Sequence, residues 1–112
     1  MVTYIPSRGD IVWINFNPQA GHEQAGRRPA FVISSKSYNQ KTGLALLCPI
    51  TSRIKNYPFE IEIRSKNIQG VILSDQIRSF DWNARNASFE AHLNAEIFYT
   101  VRENLFALLQ ET

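Results

Sequence analysis

The chain has 112 residues, 44% hydrophobic and 20% charged, with one cysteine, Cys48, and a formal net charge of +2. That is the length of one domain with one core, and the composition of a globular rather than a disordered or fibrous chain. A single thiol allows no internal disulfide and no cysteine-based zinc or iron–sulfur site, which suits a reducing cytoplasm. The small net charge hides an uneven distribution. Residues 1–58 carry seven Lys/Arg against two acids, a balance of +5, and residues 59–112 carry five against eight, a balance of −3. A basic first half points to a polyanionic partner, unless the fold mixes the two halves and evens out the field.

Residues 1–8 lack the basic and then apolar pattern of a secretory leader, and no apolar run is long enough to span a bilayer. The reading is a single cytoplasmic domain over 1–112. Gly9-Asp10 signals a turn, and residues 10–16, rich in β-branched and aromatic side chains, read as a strand ended by Asn17-Pro18. Residues 19–28 hold two glycines and almost no apolar side chains, so they read as a long loop closed by Pro29. Two strands follow, at 30–34 and 44–50, separated by a polar turn over 36–43, and Pro49 implies an edge or a bulge.

Residues 59–64 alternate, with Phe59, Ile61 and Ile63 on one face and Glu60, Glu62 and Arg64 on the other. Short strands follow at 70–74 and 77–80. From Asn94, a plausible N-cap, the period changes: Ile97, Val101, Leu105 and Leu108 recur at helical spacing, with Phe98 and Leu109 beside them. Five or six strands and a closing amphipathic helix of about four turns predict a mainly β fold, a small antiparallel barrel or strongly curled sheet.

Three polar clusters could carry chemistry. The loop Gly21-His22-Glu23-Gln24-Ala25-Gly26-Arg27-Arg28-Pro29 offers a base in Glu23 or His22, an amide in Gln24 and two guanidiniums, with Arg28 best placed beside a strand. Pro49-Ile50-Thr51-Ser52-Arg53, followed by Lys55, puts hydroxyls and cations at a strand end, where they could meet phosphate oxygens or bond to their own backbone. Asp75-Gln76 and Arg78 could present donors and acceptors to a base edge and a cation to phosphate, or simply form a turn. Trp13, Phe80 and Trp82 read as core rather than as stacking surfaces. The histidines and acids show no metal-ligand spacing, and the glycines follow neither nucleotide-loop pattern, so any chemistry is expected to need neither metal nor cofactor.

In order along the chain, Gly9-Asp10-Ile11-Val12-Trp13, Asn17-Pro18, the loop 21–30, Tyr38-Asn39, Lys41-Thr42-Gly43, Pro49-Ile50-Thr51-Ser52, Tyr57-Pro58-Phe59 and residues 70–76 resemble the MazF/PemK/Kid family of toxins. The resemblance covers nearly the whole chain. It implies an SH3-like barrel with a C-terminal helix, a homodimer, and a sequence-specific, metal-independent endoribonuclease acting on single-stranded messenger RNA. It also implies a cognate antitoxin that occupies the RNA groove. Carried over by position, Arg28 and Thr51 are the catalytic pair, Glu23 matches the loop glutamate, and His22 and Arg27 fall at variable positions.

The chemistry that goes with this is attack of a ribose 2′-hydroxyl on its own phosphate, giving cyclic phosphate and 5′-hydroxyl ends. Arg28 would stabilise the transition state and Thr51 would hold a phosphate oxygen. Arginine is a poor free base, so Glu23, with His22 second, is the expected base. Gln24, Arg27, Ser52, Arg53, Lys55, Asp75, Gln76 and Arg78 are the expected RNA contacts. Two alternatives belong to other classes. One is a gyrase inhibitor like the CcdB-type toxins, which resemble the same barrel but lack the arginine–threonine pair; the other is a non-catalytic nucleic-acid-binding barrel.

Overall fold

The computed structural model describes residues 4–17 and 26–110. In chain order the elements are β1 (Asp10–Asn15), β2 (Arg27–Val32), α1 (Lys36–Thr42), β3 (Leu44–Thr51), β4 (Glu60–Arg64), β5 (Gln69–Leu73), β6 (Arg78–Asp81), β7 (Ser88–His92) and α2 (Ala95–Leu109). The strands pair antiparallel in the order β4-β5-β3-β2-β1-β7, with β6 also paired to β3. The sheet curls into a half-barrel capped by α2, as the mainly β expectation required. A register shift between Ile11 and Val12, where β1 meets β7, is the kind of irregularity that sharpens such a curl.

Alternation along the strands sends side chains into two cores. Ile11, Phe31, Cys48, Ile50, Ile61, Ile63 and Ile72 gather on one face, closed by Val101, Ile97, Phe98 and Leu105 of α2. Val12, Ile14, Phe16, Val32, Leu47, Phe80 and Trp82 gather on the other. Burial pushes the Cys48 thiol up to about 12, so this cysteine is an inert core residue. α2 begins where expected: the Asn94 side chain accepts from the Glu96 N–H. Its apolar stripe outruns the core, however, leaving Phe106, Leu108 and Leu109 exposed.

Four expectations are corrected. Residues 36–43 are not a turn; they contain a two-turn helix, capped by the Ser35 hydroxyl at its start and by Gly43 at φ 74° at its end. Its Asn39 is fully buried, donates to the Pro6 carbonyl at 2.8 Å and bonds to the Ser34 hydroxyl, which fixes the helix on the barrel. β2 starts at Arg27, so the two arginines stand in a strand and not in the loop. β7, with most of its side chains exposed or half-exposed, carried no recognisable alternation. Pro49 lies in a central strand, fully buried, at the point where one side of β3 changes partner from β6 (residues 44–47) to β5 (residues 50–51). A residue without an N–H suits that exchange.

Candidate active site

The register of β2 and β3 decides what the site contains. Ala30 lies opposite Pro49 and Phe31 opposite Cys48. The ladder ends at Ala30–Pro49, and Arg28 and Thr51 each lie two residues beyond that last pair on their own strands. Both line a cleft of about 240 Å³, together with Trp13, Arg27, Pro29, Ile50, Ser52, Asn67, Ile68 and Gln69. Arg27 and Arg28 both border the cleft, which brings part of the basic excess of the first half to it.

Each predicted residue here has a definite setting. Arg28 pairs with Ile14 in the β1–β2 ladder, which plants its backbone in a regular strand while its side chain is exposed. Arg27 points the other way along the strand alternation; its Nη2 donates to the Asn86 carbonyl at 2.7 Å and to the Ser88 hydroxyl at 2.9 Å. It therefore ties β2 to the start of β7 as well as edging the cleft. The Thr51 hydroxyl accepts from the Arg53 N–H at 3.1 Å. That bond uses an oxygen lone pair and leaves the hydroxyl proton to donate, which is what a phosphate oxygen needs. The backbone-bonding alternative for Thr51 and its phosphate role are thus compatible.

Thr51 is held from behind by β5, where it pairs with Val71. A Cβ on Gly70 would sit 2.3 Å from the Thr51 carbonyl oxygen, so the two strands approach this closely only because position 70 has no side chain. The ends of the loop before β2 are also pinned: the Phe16 N–H donates to the Gly26 carbonyl at 2.8 Å and the Gly26 N–H to Asn17 Oδ1 at 2.9 Å. His22, Glu23 and Gln24, the two base candidates and the amide, lie outside the described residues.

The remaining predicted contacts do not line this cleft. Arg53 and Lys55 belong to the exposed segment after β3, whose amides at Lys55 and Asn56 donate to the Glu60 carboxylate at 2.9 and 2.8 Å. Asp75 and Gln76 form the turn between β5 and β6, and Arg78 pairs with Leu47 on β3. Leu47 lies four residues from Thr51, about 13 Å along a strand. A bond joins the two loci: the Tyr57 hydroxyl donates to Asp75 Oδ1 at 2.9 Å. Partial burial and then that carboxylate push the Tyr57 phenol up to about 12.

Sequence reasoning missed four residues of the site. Trp13, assigned to the core, is half-buried against it and also lines the cleft, whereas Trp82 and Phe80 are core as expected. Asn67, Gln69 and Gly70 come from the β4–β5 hairpin, and only the pairing of β5 with β3 brings them here. No local pattern announces them.

The architecture is thus a half-barrel whose neighbouring central strands bring an arginine and a threonine to one cleft. Residues 7–109 match the family described as PemK-like, MazF-like toxin of type II toxin-antitoxin system. The chain is 40% identical over 106 residues to the endoribonuclease toxin MazF of Escherichia coli K12, covering 95% of this chain and 96% of that one. It is 34% identical over 107 residues to the endoribonuclease EndoA of Bacillus subtilis, covering 90% and 91%. Among solved structures, MazF from Deinococcus radiodurans superposes with a TM-score of 0.90 at 49% identity, covering 96% of this chain and 98% of that one. A MazE-MazF structure from the same organism gives 0.86 at 48%, covering 98% and 100%. The chain belongs to the PemK/MazF family of type II toxin–antitoxin toxins, and the enzyme class that goes with this membership is endoribonuclease.

Proposed function

We propose that this chain cuts single-stranded messenger RNA in the cytoplasm at particular sequences, without a metal ion. The ribose 2′-oxygen attacks the adjoining phosphorus, a 2′-O–P bond forms and the P–O5′ bond breaks, leaving a 2′,3′-cyclic phosphate and a 5′-hydroxyl. The 2′-hydroxyl proton goes to Glu23, with His22 the alternative base, and the departing 5′-oxygen takes up a proton from solvent water. Arg28 stabilises the charge that builds on the phosphoryl oxygens, and the Thr51 hydroxyl donates to one of them. The observation that carries this reading is that Arg28 of β2 and Thr51 of β3, from neighbouring strands, line one cleft.

The chemistry fits RNA because only RNA carries the 2′-hydroxyl. Ser52, Arg53 and Lys55 after β3, Arg27 at the cleft, and Asp75, Gln76 and Arg78 before and on β6 are the proposed contacts of an extended strand, with Gln24 a further proposed contact. The exposed Tyr99, Phe106, Leu108 and Leu109 of α2 offer apolar area for a second copy of this chain, in keeping with a homodimer. The MazE-MazF structure supports an antitoxin as the neutralising partner.

The test is incubation of a single-stranded RNA with the protein in EDTA, followed by chemical mapping of the new ends. Cyclic phosphate and 5′-hydroxyl ends are expected, and a substrate with deoxyribose at the cut position should resist. Arg28→Ala should melt like the parent yet cut about 10²- to 10³-fold more slowly. Undiminished cutting by that variant removes Arg28 from the mechanism; cutting of the deoxyribose substrate refutes 2′-hydroxyl attack. Absence of any cutting by the parent protein would favour the gyrase-inhibitor or plain binding alternatives.

A further inference from the structure

Trp13 on β1 and Asn67 in the β4–β5 turn are far apart in the chain, yet both line the cleft beside Arg28 and Thr51. One carboxylate holds them both. Trp13 Nε1 donates to Glu90 Oε1 at 3.0 Å, and Asn67 Nδ2 donates to Glu90 Oε2 at 3.0 Å. These two bonds, Trp13 first, hold the Glu90 carboxyl below the usual range, so the clamp is charged at neutral pH. Glu90 sits on β7, the strand next to β1, and reaches across to the hairpin that also carries Gln69.

The clamp determines what is left to face the cleft. The indole has only one N–H, and Glu90 takes it, so Trp13 offers ring surface alone. Asn67 keeps its carbonyl and its second N–H, a donor and an acceptor side by side, and Gln69 adds another amide. A fixed aromatic surface and amides next to a phosphate-binding cation are the means by which proteins read an unpaired base, through stacking and through hydrogen bonds to its edge. The volume agrees: about 240 Å³ is below the roughly 300–1,000 Å³ of pockets for drug-sized ligands and suits one base.

We infer that Trp13, Asn67 and Gln69 form the subsite for the base of one nucleotide flanking the scissile phosphate. Trp13 stacks on that base and the amides read its edge. Glu90 is a positioning residue that aims Trp13 and Asn67 without touching the substrate. The inference rests on the proposed RNA cleavage and adds which residues confer its sequence preference.

A pool of single-stranded RNAs randomised around the cut site tests it. The parent protein and the Trp13→Leu, Asn67→Ala and Glu90→Gln variants are each given the pool. The cut ends are sequenced, and the uncut RNA retained by each protein is sequenced in parallel. Asn67→Ala and Glu90→Gln should relax the preference at one and the same nucleotide position by about fivefold or more. Trp13→Leu should weaken retention of RNA by about fivefold or more, because stacking on one base is lost. A merely structural role would slow the cutting of every sequence by the same factor and leave the profile intact. Folded variants, checked by thermal melting, that reproduce the parent's base profile overturn the inference; Glu90→Gln preserves shape and so guards against misfolding as the cause. If the parent cuts nothing, the proposed function fails, and the base profile of the retained RNA still decides the subsite.

Discussion

Replacing Gly70 by alanine should displace Thr51 and slow the enzyme without unfolding it. The added Cβ would lie 2.3 Å from the Thr51 carbonyl oxygen, 2.9 Å from its carbonyl carbon and 3.3 Å from the Ser52 Cα. All three are backbone atoms, so no side chain can swing aside. Opening 2.3 Å to an ordinary contact of 3.4 Å moves the end of β3 against β5 by about 1 Å. Overpacking of this kind costs about 1–3 kcal/mol, which leaves a typical domain of about 5–15 kcal/mol folded. A 1 Å error in a catalytic group costs about a hundredfold in rate. Single-turnover cleavage of a fluorogenic RNA, run beside a thermal melt, separates the two effects. A Gly70→Ala protein that melts a few degrees lower but cuts about a hundredfold more slowly is expected. A folded variant cutting within about threefold of the parent would show that the β3–β5 approach does not set the Thr51 position.

Two further changes follow from the hydrogen-bond pattern. The Tyr57 phenol is raised from its usual 10.0 to about 12 in the fold, so its contribution is fully present below pH 10 and is lost as pH rises through about 12. Urea unfolding from pH 8 to 12 should therefore show the advantage of the parent over Tyr57→Phe shrinking across that upper window, and an advantage independent of pH would contradict the assignment. Asn39→Ala should cost about 2–4 kcal/mol in denaturant unfolding, since it strands the buried Ser34 hydroxyl and the Pro6 carbonyl. Its cleavage rate per folded molecule should stay that of the parent, because Asn39 anchors α1 and does not line the cleft.

What could be read in advance follows a physical line. β1, β4 and β5 announce themselves because their apolar residues are β-branched or alternate, β3 because it is a continuous apolar run after Gly43, and α2 because its stripe runs from Ile97 through Leu105 behind an Asn94 cap. α1 was hidden by composition: Lys36-Ser37-Tyr38-Asn39-Gln40-Lys41-Thr42 has no apolar stripe, and only Ser35 before it and Gly43 after it mark a helix. β7 was hidden because the sheet leaves most of its residues half-wet. In the site, Arg28 and Thr51 stand out as a guanidinium and a hydroxyl at element ends, and the pairing of β2 with β3 brings both to one cleft. Asn67, Gln69 and Gly70 acquire meaning only once β5 pairs with β3. Trp13 was misjudged because burial and access to the cleft are not exclusive for so large a ring.

The exchange of partners at Pro49 has a mechanical consequence. Arg28 stands in the ladder of β1 and β2, whereas Thr51, at the end of β3, stands in the ladder with β5, and β3 joins the two. The pair proposed to carry the chemistry is thus split across a seam, one member on each leaf, with a residue lacking an N–H at the crease. Alignment of the pair is an angle between leaves rather than a bond between side chains. Anything that splays or stiffens the β4–β5 leaf acts on the chemistry from a distance, with neither Arg28 nor Thr51 touched.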